Sequence, residues 1–117
     1  VGVTGLYTGG YHCFMPQLAA ETIGWSDSPF QWEVGIADFT IGVLGVMGAW
    51  ASRSFRWAVV VALCIWFWGD AIGHVRQMNI AENYAPGNAG SWFWVDVFGP
   101  FFLLIAHSLN RGDKRLK

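Results

Sequence analysis

The sequence predicts an all-α integral membrane protein: a four-helix bundle with three full spans and a partial span at the N-terminus. The first observation behind this prediction is composition. Of the 117 residues, 54% are hydrophobic, 17% are aromatic and only 13% are charged, whereas a soluble domain carries about 25% charged residues. Too few charged side chains remain to cover a surface that faces water, so we expect the lipid bilayer to be the main partner of this surface.

The second observation is the spacing of the apolar runs. A helix needs about 20 apolar residues to cross the hydrocarbon core of a bilayer. The sequence therefore predicts one transmembrane domain over residues 1–117, with spans at about 1–15, 32–51, 57–77 and 92–109. The first run is short and stops at Pro16. We interpret it as the outer part of a helix that starts upstream of Val1.

The basic residues predict the orientation of these spans. Arg53 and Arg56 occupy the turn 52–56, and the tail 111–117 is also basic, while the loops 16–31 and 78–91 contain no lysine or arginine. Cytoplasmic loops carry an excess of lysine and arginine, so both termini are expected to be cytoplasmic. The net charge of −1 offers no basic face, which argues against a nucleic-acid partner.

Small residues mark the predicted helix contacts. Membrane helices approach each other closely where glycine occupies the interface. We therefore expect the second and third spans to contact neighbouring helices through the glycine pairs Gly42 and Gly45, and Gly69 and Gly73.

Ionisable residues lie close to these glycines, although a charge inside a membrane is costly and such residues turn toward the bundle interior to find partners. Because the spans alternate in direction, their ionisable groups reach a common depth below the outer face. The predicted polar cluster is Glu33, Asp38, Asp70, His74, Arg76, Asp96 and His12.

The sequence leaves several roles open for this cluster. It could fix the helix register through Asp–His and Asp–Arg pairs, or hold a ligand such as a quinone, a pigment or a metal, since imidazole and carboxylate suit several divalent ions. Proton movement and assembly with other membrane subunits are further alternatives. The sequence requires no cofactor, and no residue is predicted to be catalytic because HExxH and GxSxG motifs are absent.

Three segments carry a resemblance to known families. Residues 28–35 (SPFQWEVG), 69–74 (GDAIGH) and 85–90 (APGNAG) resemble a family of small bacterial membrane proteins of unknown function. This resemblance implies a bacterial plasma membrane and singles out Glu33, Asp70 and His74 as motif positions. The layout of four helices is also similar to DoxX-like membrane proteins, some of which are linked to quinone or thiol redox systems.

Together these observations predict a non-enzymatic accessory or scaffolding subunit of a larger membrane complex. The alternative is a DoxX-like, redox-associated protein that binds a quinone, a metal or another small ligand in the polar cluster.

Overall fold

Helices form all the regular secondary structure in residues 1–110, the part of the chain that this computed structural model describes. The prediction of an all-α chain is therefore confirmed over this range. The tail 111–117, which contributed to the predicted orientation, lies outside the described residues. In chain order the helices are α1 (Gly2–Phe14), α2 (Pro16–Ile23), α3 (Phe30–Met47), α4 (Arg53–Ala81), α5 (Pro86–Ala89) and α6 (Ser91–Leu109).

Two segments of the described chain are long and apolar enough to cross a membrane. These are α4, and residues Pro86–Leu109, which contain α5 and α6. The other helices do not meet the same criterion, so length and apolarity together support two spans among the described residues.

Helix α4 is longer than the predicted third span, which ran from 57 to 77. The side chain of Ser52 accepts a hydrogen bond from the Phe55 amide at 3.3 Å and so caps the helix before Arg53. Serine at this position satisfies an amide that has no partner within the helix. Residues 53–56 are consequently the first helical turn of α4. The connection between the two helices begins earlier, where α3 ends at Met47.

The close contact between α1 and α3 depends on glycine in both helices. A Cβ added to Gly5 would lie 2.9 Å from the Gly42 Cα, and one added to Gly45 would lie 2.9 Å from the Gly2 Cα. Any side chain larger than hydrogen would force these backbones apart, because the nearest atoms belong to main chain. Helices α1 and α3 thus form one tightly associated pair, in the manner of small-residue contacts between membrane helices.

Helices α4 and α6 form the second pair, through larger side chains. The Trp68 indole donates a hydrogen bond to the Val97 carbonyl at 3.3 Å and its ring lies edge-on to Phe101, with centroids 5.5 Å apart. Leu63 and Pro100 are both buried, and the Cys64 thiol of α4 lies 4.0 Å from the Pro100 carbonyl oxygen of α6. Trp57 and His107 are neighbours toward the other end of the pair, with ring centroids 5.1 Å apart.

The prediction that Gly69 and Gly73 of the third span contact a neighbouring helix is wrong. A Cβ on either residue would meet no atom within 4 Å. The spacing of glycines on one face of a helix predicts a surface that can be approached closely, but it does not determine whether another helix occupies that surface. Here the surface borders an open space.

The short helices α2 and α5 cover one end of both pairs. The Asn83 side chain donates hydrogen bonds to the carbonyls of Ile23, at 2.8 Å, and Gly24, at 3.2 Å. Gly24 ends α2 with a φ of 69°, a conformation that glycine adopts without steric cost. A Cβ on Gly87 would lie 2.5 Å from the Thr22 carbonyl oxygen, so α5 can approach α2 only through glycine. We call α2, α5 and the residues joining them to α3 and α6 the cap.

The two helix pairs are held apart below the cap. No Cα atom of α1 lies within 8 Å of a Cα atom of α4 or α6, and α3 comes this close to α4 but not to α6. The predicted four-helix bundle is therefore not confirmed, since the structure has two helical pairs with a space between them. The pairs are joined by the cap at one end and by the α3–α4 connection at the other.

Candidate ligand cavity between the helix pairs

A cavity of about 420 Å³ occupies the space between the two helix pairs. Residues of α1 and α3 line one wall, residues of α4 and α6 line the other, and residues of the cap close the end. Pockets that hold small molecules usually measure about 300–1,000 Å³, so this cavity is large enough for one. Aromatic side chains make up much of its lining: Tyr7, Tyr11, Trp25, Phe30, Trp66, Phe67 and Trp92.

Three of the predicted carboxylates face this cavity. Asp38 comes from α3, Asp70 from α4 and Asp96 from α6. Asp38 and Asp96 are each only 9% exposed, and Asp70 lies within electrostatic range of both. The structure thus brings together, from three helices, the acidic residues that the sequence placed at a common depth.

The three carboxylates differ in their partners. The Asp96 Oδ2 lies 3.5 Å from the His74 Nε2. Asp38 lies beside the Trp66 indole, which can donate to it, and beside the Thr8 hydroxyl, which itself donates to the Thr4 carbonyl at 3.1 Å. Within residues 1–110, Asp70 receives no hydrogen bond from the protein, and its nearest charged neighbours are the other two acids and His74.

A fully buried asparagine in the cap holds the imidazole of His74. The Asn88 side-chain amide donates to the carbonyls of Asn83, at 2.9 Å, and His74, at 3.3 Å, which orients its oxygen toward the His74 Nδ1 at 2.8 Å. The same oxygen accepts a hydrogen bond from the Trp25 indole at 3.2 Å. Since this oxygen can only accept, the His74 Nδ1 carries a proton. The His74 Nε2 is therefore the nitrogen presented to Asp96.

His12 lines the opposite wall of the same cavity. Its Nδ1 lies 2.7 Å from the side-chain oxygen of Gln31, which is buried at the start of α3. The two predicted histidines therefore face one cavity from different helix pairs, and each has an amide side chain as its closest hydrogen-bonding partner.

Glu33 and Arg76 do not belong to the cluster, contrary to the sequence-based prediction. Both side chains are exposed and neither lines the cavity. Among residues 1–110 the only carboxylate contact of a basic group within 4.0 Å is that of His74 with Asp96, so the predicted Arg76 ion pairs do not form there. The reason is helical geometry: Arg76 follows His74 by two residues, which places it about 200° around the helix.

Neutral polar residues hold the ionisable ones, and the sequence pattern did not predict them. Asn88, Gln31 and Thr8 all lie beside a cluster residue in the structure. In the sequence, Asn88 stands out only as part of the segment 85–90 that carries the family resemblance. The available signal was local: Asn88 is an amide side chain between two small residues, Gly87 and Ala89.

The cluster does not form a preorganised metal site. In the described part of the chain, no group of three histidine, cysteine or carboxylate side chains is arranged to hold an ion. The acids, the imidazoles and the aromatic lining are spread around the cavity instead. This arrangement is typical of a site that surrounds a small organic molecule with apolar walls and a few polar groups.

Comparisons with known proteins assign a family but no activity. No curated protein and no solved structure matches the chain. The similarity to DoxX-like proteins accordingly stays a prediction. A family model described as "Family of unknown function (DUF6790)" matches residues 1–115, nearly the full length. The chain therefore belongs to the DUF6790 family.

Proposed function

We propose that this chain is a multi-pass membrane protein that binds a small organic molecule in the cavity between its helix pairs. The observation that carries the proposal is the cavity itself, of about 420 Å³, with three carboxylates and two imidazoles in its lining. A polar cluster with a purely structural role would be expected to close on itself, because membrane helices bring their polar groups into mutual contact. Here the α1–α3 pair, which supplies His12 and Asp38, stands apart from the α4–α6 pair, which supplies the other three residues. Gly69 and Gly73 leave the wall open.

Several features support the membrane part of the proposal. Only 28% of the apolar window in α4 and 11% of that in Pro86–Leu109 are buried inside the protein, which is unlike the core helices of a soluble domain. Many large apolar side chains point outward, Ile65 and Ile72 at 70% exposure each. Lipid would cover these side chains, and in this proposal α3 crosses the bilayer beside α4 and α6 while α1 is the partial span.

The proposed topology places the cap outside the bacterial plasma membrane and the α3–α4 connection in the cytoplasm. Arg53 and Arg56 lie at that connection, and basic residues favour the cytoplasmic side. The test uses single cysteines at Ser52 and Ser28 in a chain whose two natural cysteines are replaced by serine. A membrane-impermeant thiol reagent applied to intact cells should label position 28 and spare position 52; the reverse pattern would contradict the topology.

Filling the cavity tests the binding proposal. Gly73→Phe adds a ring to a residue that lines the cavity and whose Cβ direction is free of atoms. The matched control is Ile72→Phe, a change to the same side chain on the adjacent, outward-facing residue of α4. Gly73→Phe should fold because phenylalanine has a higher helix propensity than glycine. Ile72→Phe should fold because Ile72 is exposed and lies outside the core.

The readout is the set of small molecules that copurify with each protein in mild detergent, measured by mass spectrometry after solvent extraction. A molecule retained by the natural protein and by Ile72→Phe, but lost from folded Gly73→Phe, supports binding in the cavity. Identical sets of retained molecules in all three proteins would contradict the proposal.

The accessory-subunit role remains a second candidate. Phe98, Phe101 and Phe102 project from α6 with exposures of 49%, 51% and 71%, and such a row of aromatic side chains could meet another membrane protein. Lipid would cover the same surface equally well. Copurification of a second membrane protein that is lost when Phe102 is replaced by alanine would favour the subunit role, whereas a stable lone chain in mild detergent would count against it.

A further inference from the structure

We propose that the ligand of the cavity is an organic cation whose charged group pairs with Asp70. This inference rests on the proposed binding function and names the chemical class that the cavity selects. It follows from three features of the lining: the balance of charge, the lack of a partner for one carboxylate, and the aromatic walls.

The charge balance of the lining is negative. Three aspartates face the cavity and no lysine or arginine lines it, while the nearest arginine along α4, Arg76, points away. His74 offsets Asp96, which it contacts at 3.5 Å, so Asp38 and Asp70 face one remaining imidazole, that of His12. A neutral or anionic ligand would leave this excess of carboxylate uncompensated, whereas a cation would balance it.

Asp70 is the carboxylate that remains available to a ligand. Asp96 is in contact with His74 at 3.5 Å, and Asp38 has a hydroxyl and an indole beside it. Asp70 has no hydrogen-bond donor among residues 1–110 and lies next to Gly69 in the open part of the wall. A charged group inside a membrane protein normally acquires a partner, and the cavity offers room for one to be supplied from outside the chain.

The walls indicate an organic cation rather than a metal ion. Trp66 and Phe67 precede Asp70 on α4 and line the same cavity. The faces of aromatic rings attract organic cations, and a site of this kind gains further when water is excluded. A bare ion would leave most of about 420 Å³ empty, and the described residues offer no group of three ligands for it.

A quinone fits the same lining less well. The carbonyl oxygens of an oxidised quinone only accept hydrogen bonds, and the three aspartates supply acceptors rather than donors when ionised. The quinone that the sequence analysis allowed is therefore the competing outcome of the test, and it predicts a response to a neutral probe.

The test compares two probes that differ in one atom. Benzyltrimethylammonium is the cation, and neopentylbenzene, in which carbon replaces the nitrogen, is its neutral isostere. Each is titrated calorimetrically into the full chain in lipid nanodiscs, with empty nanodiscs as the blank. Asp70→Asn removes the charge at nearly constant shape, Asp70→Glu restores it, and Glu33→Gln removes one carboxylate charge outside the cavity.

We expect the cation to bind the natural protein at least tenfold more tightly than the isostere. Asp70→Asn should weaken binding of the cation at least tenfold, Asp70→Glu should recover most of it, and Glu33→Gln should leave it unchanged. Equal affinity for the two probes, equal affinity of Asp70→Asn and the natural protein, or no saturable binding of the cation would each overturn the proposal.

The experiment separates failure of this inference from failure of cavity binding. If the isostere or a benzoquinone binds saturably, and Gly73→Phe abolishes that binding while Asp70→Asn does not, the cavity binds ligands but not through a charge on Asp70. If no probe binds and the natural protein retains no molecule that Gly73→Phe loses, both proposals fail.

Discussion

Replacing Asn88 with alanine should destabilise the protein more than any other single truncation in the cap. Asn88 has 0% exposure and joins four groups: it donates to the carbonyls of His74 and Asn83 and accepts from the side chains of His74 and Trp25. Alanine would remove all four hydrogen bonds at once. It would also remove the side-chain hydrogen bonds between α5 and His74 of α4.

The magnitude follows from the number of bonds. A typical hydrogen bond contributes about 0.5–1.5 kcal/mol net, and a buried partner left without one costs about 1–3 kcal/mol. Not every group orphaned by the change would stay dry, because the His74 imidazole borders the cavity and could acquire water. We therefore expect Asn88→Ala to lower the free energy of unfolding by about 3–5 kcal/mol.

The assay is reversible unfolding in mixed micelles of dodecyl maltoside and dodecyl sulfate, followed by tryptophan fluorescence. Asn79→Ala is the matched control, since Asn79 is exposed on α4 and makes no side-chain hydrogen bond to residues 1–110. Its effect should stay within about 0.5 kcal/mol. If Asn88→Ala is no more destabilising than Asn79→Ala, the hydrogen bonds of Asn88 do not hold the cap.

Other predictions test the helix contacts and the corrected cluster. Gly42→Leu should destabilise the α1–α3 pair by about 2–3 kcal/mol or prevent folding, because a Cβ there would lie 2.6 Å from the Leu6 backbone nitrogen. In the same unfolding assay Gly10→Leu should be tolerated, since its nearest neighbour would be 4.0 Å away; equal losses for both variants would contradict the role of close helix approach. Arg76→Gln should change the free energy of unfolding by no more than about 0.5 kcal/mol. A loss of several kcal/mol would indicate that Arg76 does form the ion pair predicted from the sequence.

The glycine contacts show how far sequence reasoning reaches. Glycines spaced by three and four residues identify the face of a helix that can be approached closely, and for α3 that face does meet α1 through Gly42 and Gly45. The same pattern in α4 gave an equally clear expectation for Gly69 and Gly73, where no helix is present. Periodicity describes one helix at a time, and which helix comes to a given face depends on the connections and on the space already occupied.

For the polar cluster too, one property could be predicted from the sequence and another could not. The acids Asp38, Asp70 and Asp96 could be placed at one level from the span boundaries, since depth along a helix follows from counting residues at 1.5 Å each. Position around the helix axis decides the rest, and it turns Arg76 outward while His74 faces the cavity. Errors of a few residues in a predicted boundary hardly change the depth, but the outward rotation of one residue removes it from the cluster.

What the sequence alone determined is the all-α class and the apolar character of α4 and α6, because each depends on composition or on counting along one segment. The tertiary structure decided that the helices form two separate pairs, that a cavity lies between them, and that Asn88 of the cap holds His74. These features depend on contacts between segments as far apart as Trp25 and Asn88. Such contacts follow from how the cap and the connections distribute the helices in space, which no local pattern encodes.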